Sequence, residues 1–279
     1  MIEWEKIQSS ASAILAEGIF MLKNAPIQLP QQVSAVHPCN YIISLNNVVH
    51  YIGEGGSAGS RIKVQFDERR STFYKNYLKT KPEITQSITA FDLRLIRTNI
   101  GRKEIEDFGI VNFPAPLNRF QLGKRLLHQP ATSHAQWDAV QTGSTVLLKQ
   151  GAARCMESGF SIWSDAAAPL VCGIYLIKNG VGEVIYVGES SDIGTRYQTH
   201  CHRTYFSAVR RNLGQQLLGY ELQERNGKKR YFEPHEDEEI SAFLDRCSVA
   251  FIPVNFGRYE VEEFLIKKLK PILNRKSKG

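Results

Sequence analysis

The sequence predicts a mixed α/β (α+β) fold in which a small, mainly antiparallel β-sheet led by a hairpin is flanked by helices, and it predicts this unit twice. Three observations support the prediction. The chain repeats itself, turn-forming residues separate short β-rich runs, and apolar residues at helical spacing surround those runs. With 279 residues, the chain is long enough for two domains of ordinary size.

The internal repeat is clearest near the end of each half. Residues 101–118 and 257–274 share eight of 18 ungapped positions, where composition alone would give about one. Upstream, the segments that begin at Tyr51 and Tyr186 align at an offset of 135. We therefore expect two domains that form a pseudo-dimer within one chain. The predicted domains are residues 1–133 and residues 134–279, the second with an insertion near residues 214–246.

Each half is predicted to begin with one amphipathic helix. The apolar side of this helix holds Ile7, Ile14 and Leu15 in the first half and Val140, Leu147 and Leu148 in the second. Two short strands follow, joined by turns predicted at Asn46-Asn47 and at Asn179-Gly180. A helix after a glycine-rich turn, a third strand at 93–97 or 249–254, and a final helix complete the unit.

Composition excludes several classes of protein. No window approaches the roughly 20 apolar residues of a membrane span, and the N-terminus has no signal-peptide pattern. Five cysteines, odd in number and without a CxxC pair, favour neither a disulfide framework nor a zinc site, which predicts a reducing cytoplasm. The net charge of +7 is compatible with nucleic-acid binding but is common among enzymes.

The second half carries an ordered set of residues that suits phosphodiester hydrolysis. Tyr175 and Tyr186 can orient or deprotonate water with help from a cation. Arg196 can hold two phosphate oxygens, and His200 projects from the same helix face four residues later. Glu262 offers the hard oxygen ligand that Mg²⁺ prefers, and Asn274 would orient a helix end or a ligand.

These residues resemble the GIY-YIG nuclease domain. The resemblance covers about residues 172 to 275 and extends in weaker form to about 38 to 119. It is carried by Gly173-Ile174-Tyr175, Tyr186-Val187-Gly188, Arg196, His200, Glu262 and Asn274, in that order and at family-like spacing.

The resemblance implies a single-metal mechanism. Glu262 would bind Mg²⁺, with Mn²⁺ as an alternative ion, and Tyr175 or His200 would be the general base. Tyr186 would position water or phosphate, and Arg196 would stabilise the pentacovalent phosphate. The Arg-x-x-x-His step is similar to that of the family's restriction enzymes and homing endonucleases, which favours restriction over repair.

The first half keeps most of the same residues. They are Tyr41, Tyr51, Arg61 and Asn118 as catalytic candidates and Glu106 as the metal ligand. Gln65 replaces the histidine and cannot act as a general base. The first site is therefore slower, served by another group such as His50 or Tyr74, or a remnant that holds DNA. Retention of Glu106 favours activity, because a structural relic needs no metal ligand.

The expected function is a divalent-metal-dependent endonuclease, a restriction enzyme that breaks double-stranded DNA with one site per strand. It is expected to be a cytoplasmic protein of bacterial or phage type that acts as a monomer with internal pseudo-two-fold symmetry, while further association of copies is left open. The alternatives are a repair or structure-specific nuclease, a nickase with an inactive first site, and a non-catalytic DNA-binding pseudo-enzyme.

Overall fold

The structure is a computed structural model and describes residues 2–80, 87–113, 117–118, 131–225 and 227–274. The chain divides into two compact units, Met1–Leu147 and Leu148–Gly279. Each unit contains one four-stranded antiparallel sheet with helices beside it, which confirms the predicted mixed α/β fold. None of the helices in the described ranges has the length and apolar character that a bilayer crossing requires.

The first unit has the strand order β1-β4-β2-β3. Its elements are α1 (Trp4–Ser9), α2 (Ala11–Asn24), β1 (Ile27–Gln28), β2 (Cys39–Leu45), β3 (Val48–Gly55), α3 (Ala58–Gln65), α4 (Thr72–Thr80), β4 (Asp92–Arg97), α5 (Arg102–Asn112) and α6 (Ala135–Thr142). The next helix, α7 (Ser144–Met156), begins in the first unit and ends in the second.

The second unit has the equivalent strand order, β5-β10-β6-β7, and a separate two-stranded ribbon, β8-β9. Its elements are β5 (Ser161–Ile162), β6 (Gly173–Lys178), β7 (Val184–Ser190), α8 (Ile193–His202), α9 (Ala208–Gln216), β8 (Gln223–Arg225), β9 (Lys228–Tyr231), α10 (Pro234–Asp245), β10 (Ser248–Pro253) and α11 (Arg258–Leu269). The predicted insertion therefore contains the ribbon and α10.

The single leading helix predicted for each half is wrong, because two shorter helices occupy each stretch. Ser10 ends α1 by donating its N–H to Lys6 and starts α2 by accepting the N–H of Ile14. Gly143 acts in the same way between α6 and α7. Four of the six predicted apolar positions are nevertheless buried, and the other two, Ile7 and Leu148, are partly buried.

The two hairpins differ in their turns. Asn46 and Asn47 both adopt positive φ values, 51° and 62°, so the predicted tight turn between β2 and β3 is confirmed. The turn predicted at Asn179-Gly180 is longer, because β6 and β7 are separated by residues 179–183. The left-handed residue is Gly182, at φ 86°, and the Asn179 side chain closes the loop by accepting the N–H of Glu183 at 2.9 Å.

The compact units divide 14 residues later than the predicted domain boundary at residue 133. The reason is α6, which packs against α2 of the first unit. The N–H of Trp137 donates to the Glu17 carboxylate at 2.8 Å, and Gln141 bonds the backbone at Ile100. The repeat boundary itself remains a prediction.

Candidate active site

The first motif tyrosine of the second unit, Tyr175, extends from β6 across the neighbouring strand. The β6–β7 register pairs it with Gly188, where an added Cβ atom would clash with the Tyr175 hydroxyl. Tyr41 and Gly53 form the same arrangement in the first unit. The glycine of each Tyr-x-Gly motif is thus required by the path of the tyrosine ring.

His200 lies in the middle of a hydrogen-bonded chain in the second unit. Its Nε2 is 2.8 Å from the Tyr175 hydroxyl, and its Nδ1 is 2.7 Å from Ser207 Oγ. The side chain is only 1% exposed. Burial, and then the charge of Arg196, hold the pKa of His200 well below its usual value. His200 is therefore a neutral imidazole that can exchange a proton with Tyr175.

Tyr186 and Arg196 complete this side of the site. The Tyr186 ring lies 6.0 Å from the Tyr175 ring and 6.4 Å from the His200 ring. Burial raises the pKa of Tyr175 well above its usual value, while the Arg196 guanidinium acts in the opposite direction. Tyr175 is consequently a neutral phenol at physiological pH, and a nearby positive charge is what would let it act as a base.

Glu262 lies on α11. This helix starts after Gly257, which adopts a left-handed backbone conformation at φ 85°. Its Oε1 accepts the backbone N–H of Glu189 at 3.1 Å. The Glu189 side chain in turn accepts from Arg258 Nε at 2.8 Å. Burial, and then the neighbouring Glu189 charge, raise the pKa of Glu262 to about 8. The carboxyl group is thus poised to exchange its proton for a cation.

Asn274 and Asn118 clamp the second motif strand in their respective units. Asn274 accepts the N–H of Val187 at 2.9 Å and donates to its carbonyl at 2.7 Å. Asn118 makes the same two bonds to Ile52, at 3.0 and 2.7 Å. Both asparagines therefore position the residue between the motif tyrosine and glycine. Their predicted contact with a ligand remains a prediction.

The first unit brings together the equivalent predicted residues. Arg61 Nε donates to the Tyr41 hydroxyl at 3.1 Å, and the Tyr41 and Tyr51 rings lie 6.1 Å apart. Burial raises the pKa of Glu106 to about 7, although Lys103 acts to lower it. The tyrosine pair of the first site is thus arranged as in the second, with ring distances of 6.1 and 6.0 Å.

Lys103 distinguishes the carboxylates of the first site from those of the second. Its ammonium lies 3.2 Å from the Glu54 carboxylate and 3.6 Å from the Glu106 carboxylate. Tyr259 occupies the equivalent position in the second unit. Within the described ranges, no residue forms an ion pair with Glu262. Lys103 therefore offsets part of the negative charge of the carboxylates in the first site. In the second site, the negative charge of Glu262 could instead be offset by a bound cation.

Gln65 occupies the place of His200 in the first unit and is equally buried, at 1% exposed. Ser71 Oγ donates to its Oε1 at 3.4 Å. The two suggested substitutes lie in the aromatic core: His50 packs edge-on against Tyr77, whose ring also stacks on Tyr74. A general-base role for either one remains a prediction.

Ser207 was not among the predicted site residues. Its Oγ contacts His200 and also caps α9 by accepting the N–H of Arg210 at 3.0 Å. Ser71 does the same for α4 in the first unit, accepting from Tyr74 at 3.1 Å. The signal that could have identified both is the repeat, because the two serines follow their arginines at almost the same distance, ten and eleven residues.

The donor set fits a divalent ion that keeps most of its waters. The described parts of the chain contain no group of three or more histidine, cysteine, aspartate or glutamate side chains suited to hold a metal ion. Mg²⁺, however, is commonly held by one or two carboxylates together with substrate phosphates. Glu262 in the second unit and Glu106 in the first could each supply such a carboxylate.

Comparison with protein families agrees with this geometry. The family model for the GIY-YIG catalytic domain matches residues 173–278, a range that lies within the second unit. No curated protein gives a significant match. A GIY-YIG catalytic domain is thus found at residues 173–278, and such a domain implies a nuclease that acts on DNA.

Proposed function

We propose that the chain is a divalent-metal-dependent restriction endonuclease that breaks double-stranded DNA by cutting one strand at each of two sites. The observation that carries the proposal is that the tyrosine, arginine, glutamate and asparagine positions of the second site recur in the first, with the same tyrosine ring pair and the same asparagine bonds. One such site hydrolyses one strand, so a double-strand break needs two. A chain with both sites supplies what a homodimer would otherwise provide.

Proton transfer in the second site would begin at Tyr175. Because both ring nitrogens of His200 face protein partners, a proton from the attacking water reaches His200 only by way of the Tyr175 hydroxyl. Tyr175 would contact the water, and His200 would receive the proton that Tyr175 releases. Arg196 would contribute a fixed positive charge that favours the phenolate and holds phosphate oxygens.

Glu262 would hold the divalent ion, proposed to be Mg²⁺ with Mn²⁺ as an alternative. When bound, the ion supplies positive charge at phosphorus and lowers the pKa of a coordinated water. The Glu189–Arg258 ion pair is placed to keep a second carboxylate oriented near this position. Asn274 would hold Tyr186 in register through the backbone of Val187.

The first site supports a second candidate function, a nickase. Gln65 cannot accept a proton from Tyr41, and Lys103 competes with a metal ion for Glu106. If these differences abolish hydrolysis in the first unit, only one strand is cut. This alternative concerns the rate at one site and leaves the chemistry of the second unchanged.

The test is cleavage of supercoiled plasmid with Mg²⁺ by the wild type, Glu106→Ala and Glu262→Ala, with the exposed Glu238→Ala as a control for removal of a carboxylate. We expect linear product from the wild type and the control, and nicked circles from each site variant. Wild-type-like linearisation by Glu106→Ala would exclude a catalytic first site. Discrete fragments from relaxed DNA support restriction, whereas preference for branched or single-stranded DNA would favour a repair nuclease.

A further inference from the structure

An exposed cluster of aromatic rings and cations borders the second site and is not part of the nuclease motif. Tyr205 and Phe206 lie in a 3₁₀ turn between α8 and α9, and Lys228, Arg230 and Tyr231 lie on β9 of the inserted ribbon. We call these five residues the ribbon patch. Lys228 and Arg230 are exposed, and the Phe206 side chain is 56% exposed.

The Tyr205 ring organises the ribbon patch. Lys228 Nζ lies 5.6 Å and the Arg230 guanidinium 5.3 Å from its centre. The rings of Phe206 and Tyr231 lie 4.6 and 5.4 Å away. The nearby Lys228 ammonium lowers the pKa of the Tyr205 hydroxyl. With these neighbours around it, the ring serves to hold two cations in place rather than to stack on a base.

The 3₁₀ turn beneath the patch is fixed by hydrogen bonds. Arg211 Nη1 donates to the carbonyls of Thr204 and Tyr205, at 2.9 and 2.5 Å. Because Arg211 holds this turn, the Tyr205 ring that Lys228 and Arg230 contact has a fixed position. Ordering them on binding therefore costs less than ordering two lysines on a flexible loop.

The same turn connects the patch to the catalytic residues. Arg196 Nη1 donates to the Phe206 carbonyl at 3.5 Å, and the next residue, Ser207, contacts His200. The cations on β9 thus lie over the Tyr205 ring of the turn that borders the proposed scissile phosphate. Duplex DNA carries about one negative charge per 1.7 Å of helix axis, so phosphates on either side of the cleaved bond would lie within reach of the patch.

Among the residues that the structure describes, the first unit has no two-stranded ribbon at this place. The residues equivalent to the 3₁₀ turn are Glu68, Arg69 and Arg70, so the first unit has two arginines but no aromatic ring there. In addition, α4 and β4 are joined by residues 81–91, compared with residues 217–247 between α9 and β10. The patch therefore belongs to the second unit and would strengthen the binding of DNA by that unit.

We propose that the ribbon patch is a phosphate clamp that binds the backbone of duplex DNA beside the second site. This inference rests on the proposed function, because it takes DNA as the substrate. Its contribution would be to affinity, while the chemical step would depend on the residues around Tyr175.

The experiment measures binding of a 30-base-pair duplex by fluorescence anisotropy at several KCl concentrations, without divalent metal. The double variant Lys228→Gln/Arg230→Gln should flatten the slope of log K against log salt by about 1.8, since each phosphate contact contributes about 0.9. The charge-matched control Lys149→Ala/Arg246→Ala should leave the slope close to the wild-type value. An unchanged slope in the patch variant would overturn the proposal.

Two further arms separate the possible failures. Binding does not require cleavage, so a wild type that never cuts DNA would refute the proposed function while the salt slope still decides the patch. If Phe206→Ala weakens binding to a single-stranded oligonucleotide more than binding to the duplex, the patch stacks on bases and the clamp is wrong. In the cleavage assay, the double glutamine variant should raise KM and leave kcat near the wild-type value.

Discussion

The two sites share their tyrosines, arginine, glutamate and asparagine, yet they differ in the groups around them. In the second site, Tyr175 meets a neutral histidine, and no described residue forms an ion pair with Glu262. In the first, Tyr41 meets Arg61, and Lys103 lies beside Glu106. The comparison teaches that the same motif can be built with or without a histidine beside its first tyrosine and a lysine beside its glutamate. The two sites should therefore run at different rates.

Exchanging the buried acceptor residue should have the largest effect. His200→Gln copies Gln65 into the second site and should slow cutting of that strand by about 10²-fold, the lower range for loss of general-base catalysis. Gln65→His should speed cutting of the other strand. Strand-specific rates on an end-labelled duplex measure both changes. Equal rates for His200→Gln and wild type would mean that Tyr175 works without the histidine.

Metal affinity should depend on pH differently at the two sites. Protons and cations compete for one carboxylate, so affinity rises by about tenfold per pH unit below the carboxyl pKa and levels off above it. With pKa values of about 8 for Glu262 and about 7 for Glu106, levelling should occur near those values. Mn²⁺ titrations of Glu106→Ala and Glu262→Ala, followed by electron paramagnetic resonance, isolate each site. The same levelling pH in both variants would contradict the difference.

Removing the lysine of the first site should make it more like the second. Lys103→Tyr copies Tyr259 and should accelerate conversion of nicked to linear plasmid by about fivefold, which corresponds to the ~1 kcal/mol upper range for a partly exposed ion pair. Tyr259→Phe serves as the control for substitution at the equivalent position. Slower conversion would show instead that Lys103 binds the substrate.

The two capping serines offer the smallest and best matched comparison. Ser207→Ala and Ser71→Ala each remove a helix cap and should lower the free energy of unfolding by a similar amount, about 1 kcal/mol. Only Ser207 contacts a histidine, so Ser207→Ala alone should reduce kcat, by about threefold. Thermal unfolding and strand-specific rates separate the two effects. Equal loss of activity in both variants would mean that Ser207 acts only as a helix cap.

Much of the fold could be predicted from local signals. The Asn46-Asn47 turn, the third strands and the burial of Ile14 and Leu147 follow from turn chemistry and apolar spacing. The helix breaks at Ser10 and Gly143 could not, since both residues also occur within helices. The longer turn at residues 179–183 depends on a hydrogen bond to the Asn179 side chain. The Asn179-Gly180 pair gives no sign of this bond, because such a pair is typical of a two-residue turn.

The site was predictable where residues repeat and hidden where partners come from elsewhere in the chain. Tyr175, Arg196 and Glu262 stand at spacings that the repeat marks twice. The pairing of Lys103 with Glu54 depends on how α5 packs against β3, which no local pattern specifies. The ribbon patch required the same tertiary information, because Tyr205 and Arg230 are distant in sequence.

The central claim is that each site cuts its own strand, and strand-resolved cleavage tests it most directly. A duplex containing the recognition sequence carries a different label on each strand and is treated with Glu106→Ala or Glu262→Ala in Mg²⁺. We expect each variant to cut one strand only and the two variants to cut opposite strands. Cleavage of the same strand by both variants, or of both strands by either one, would contradict the account.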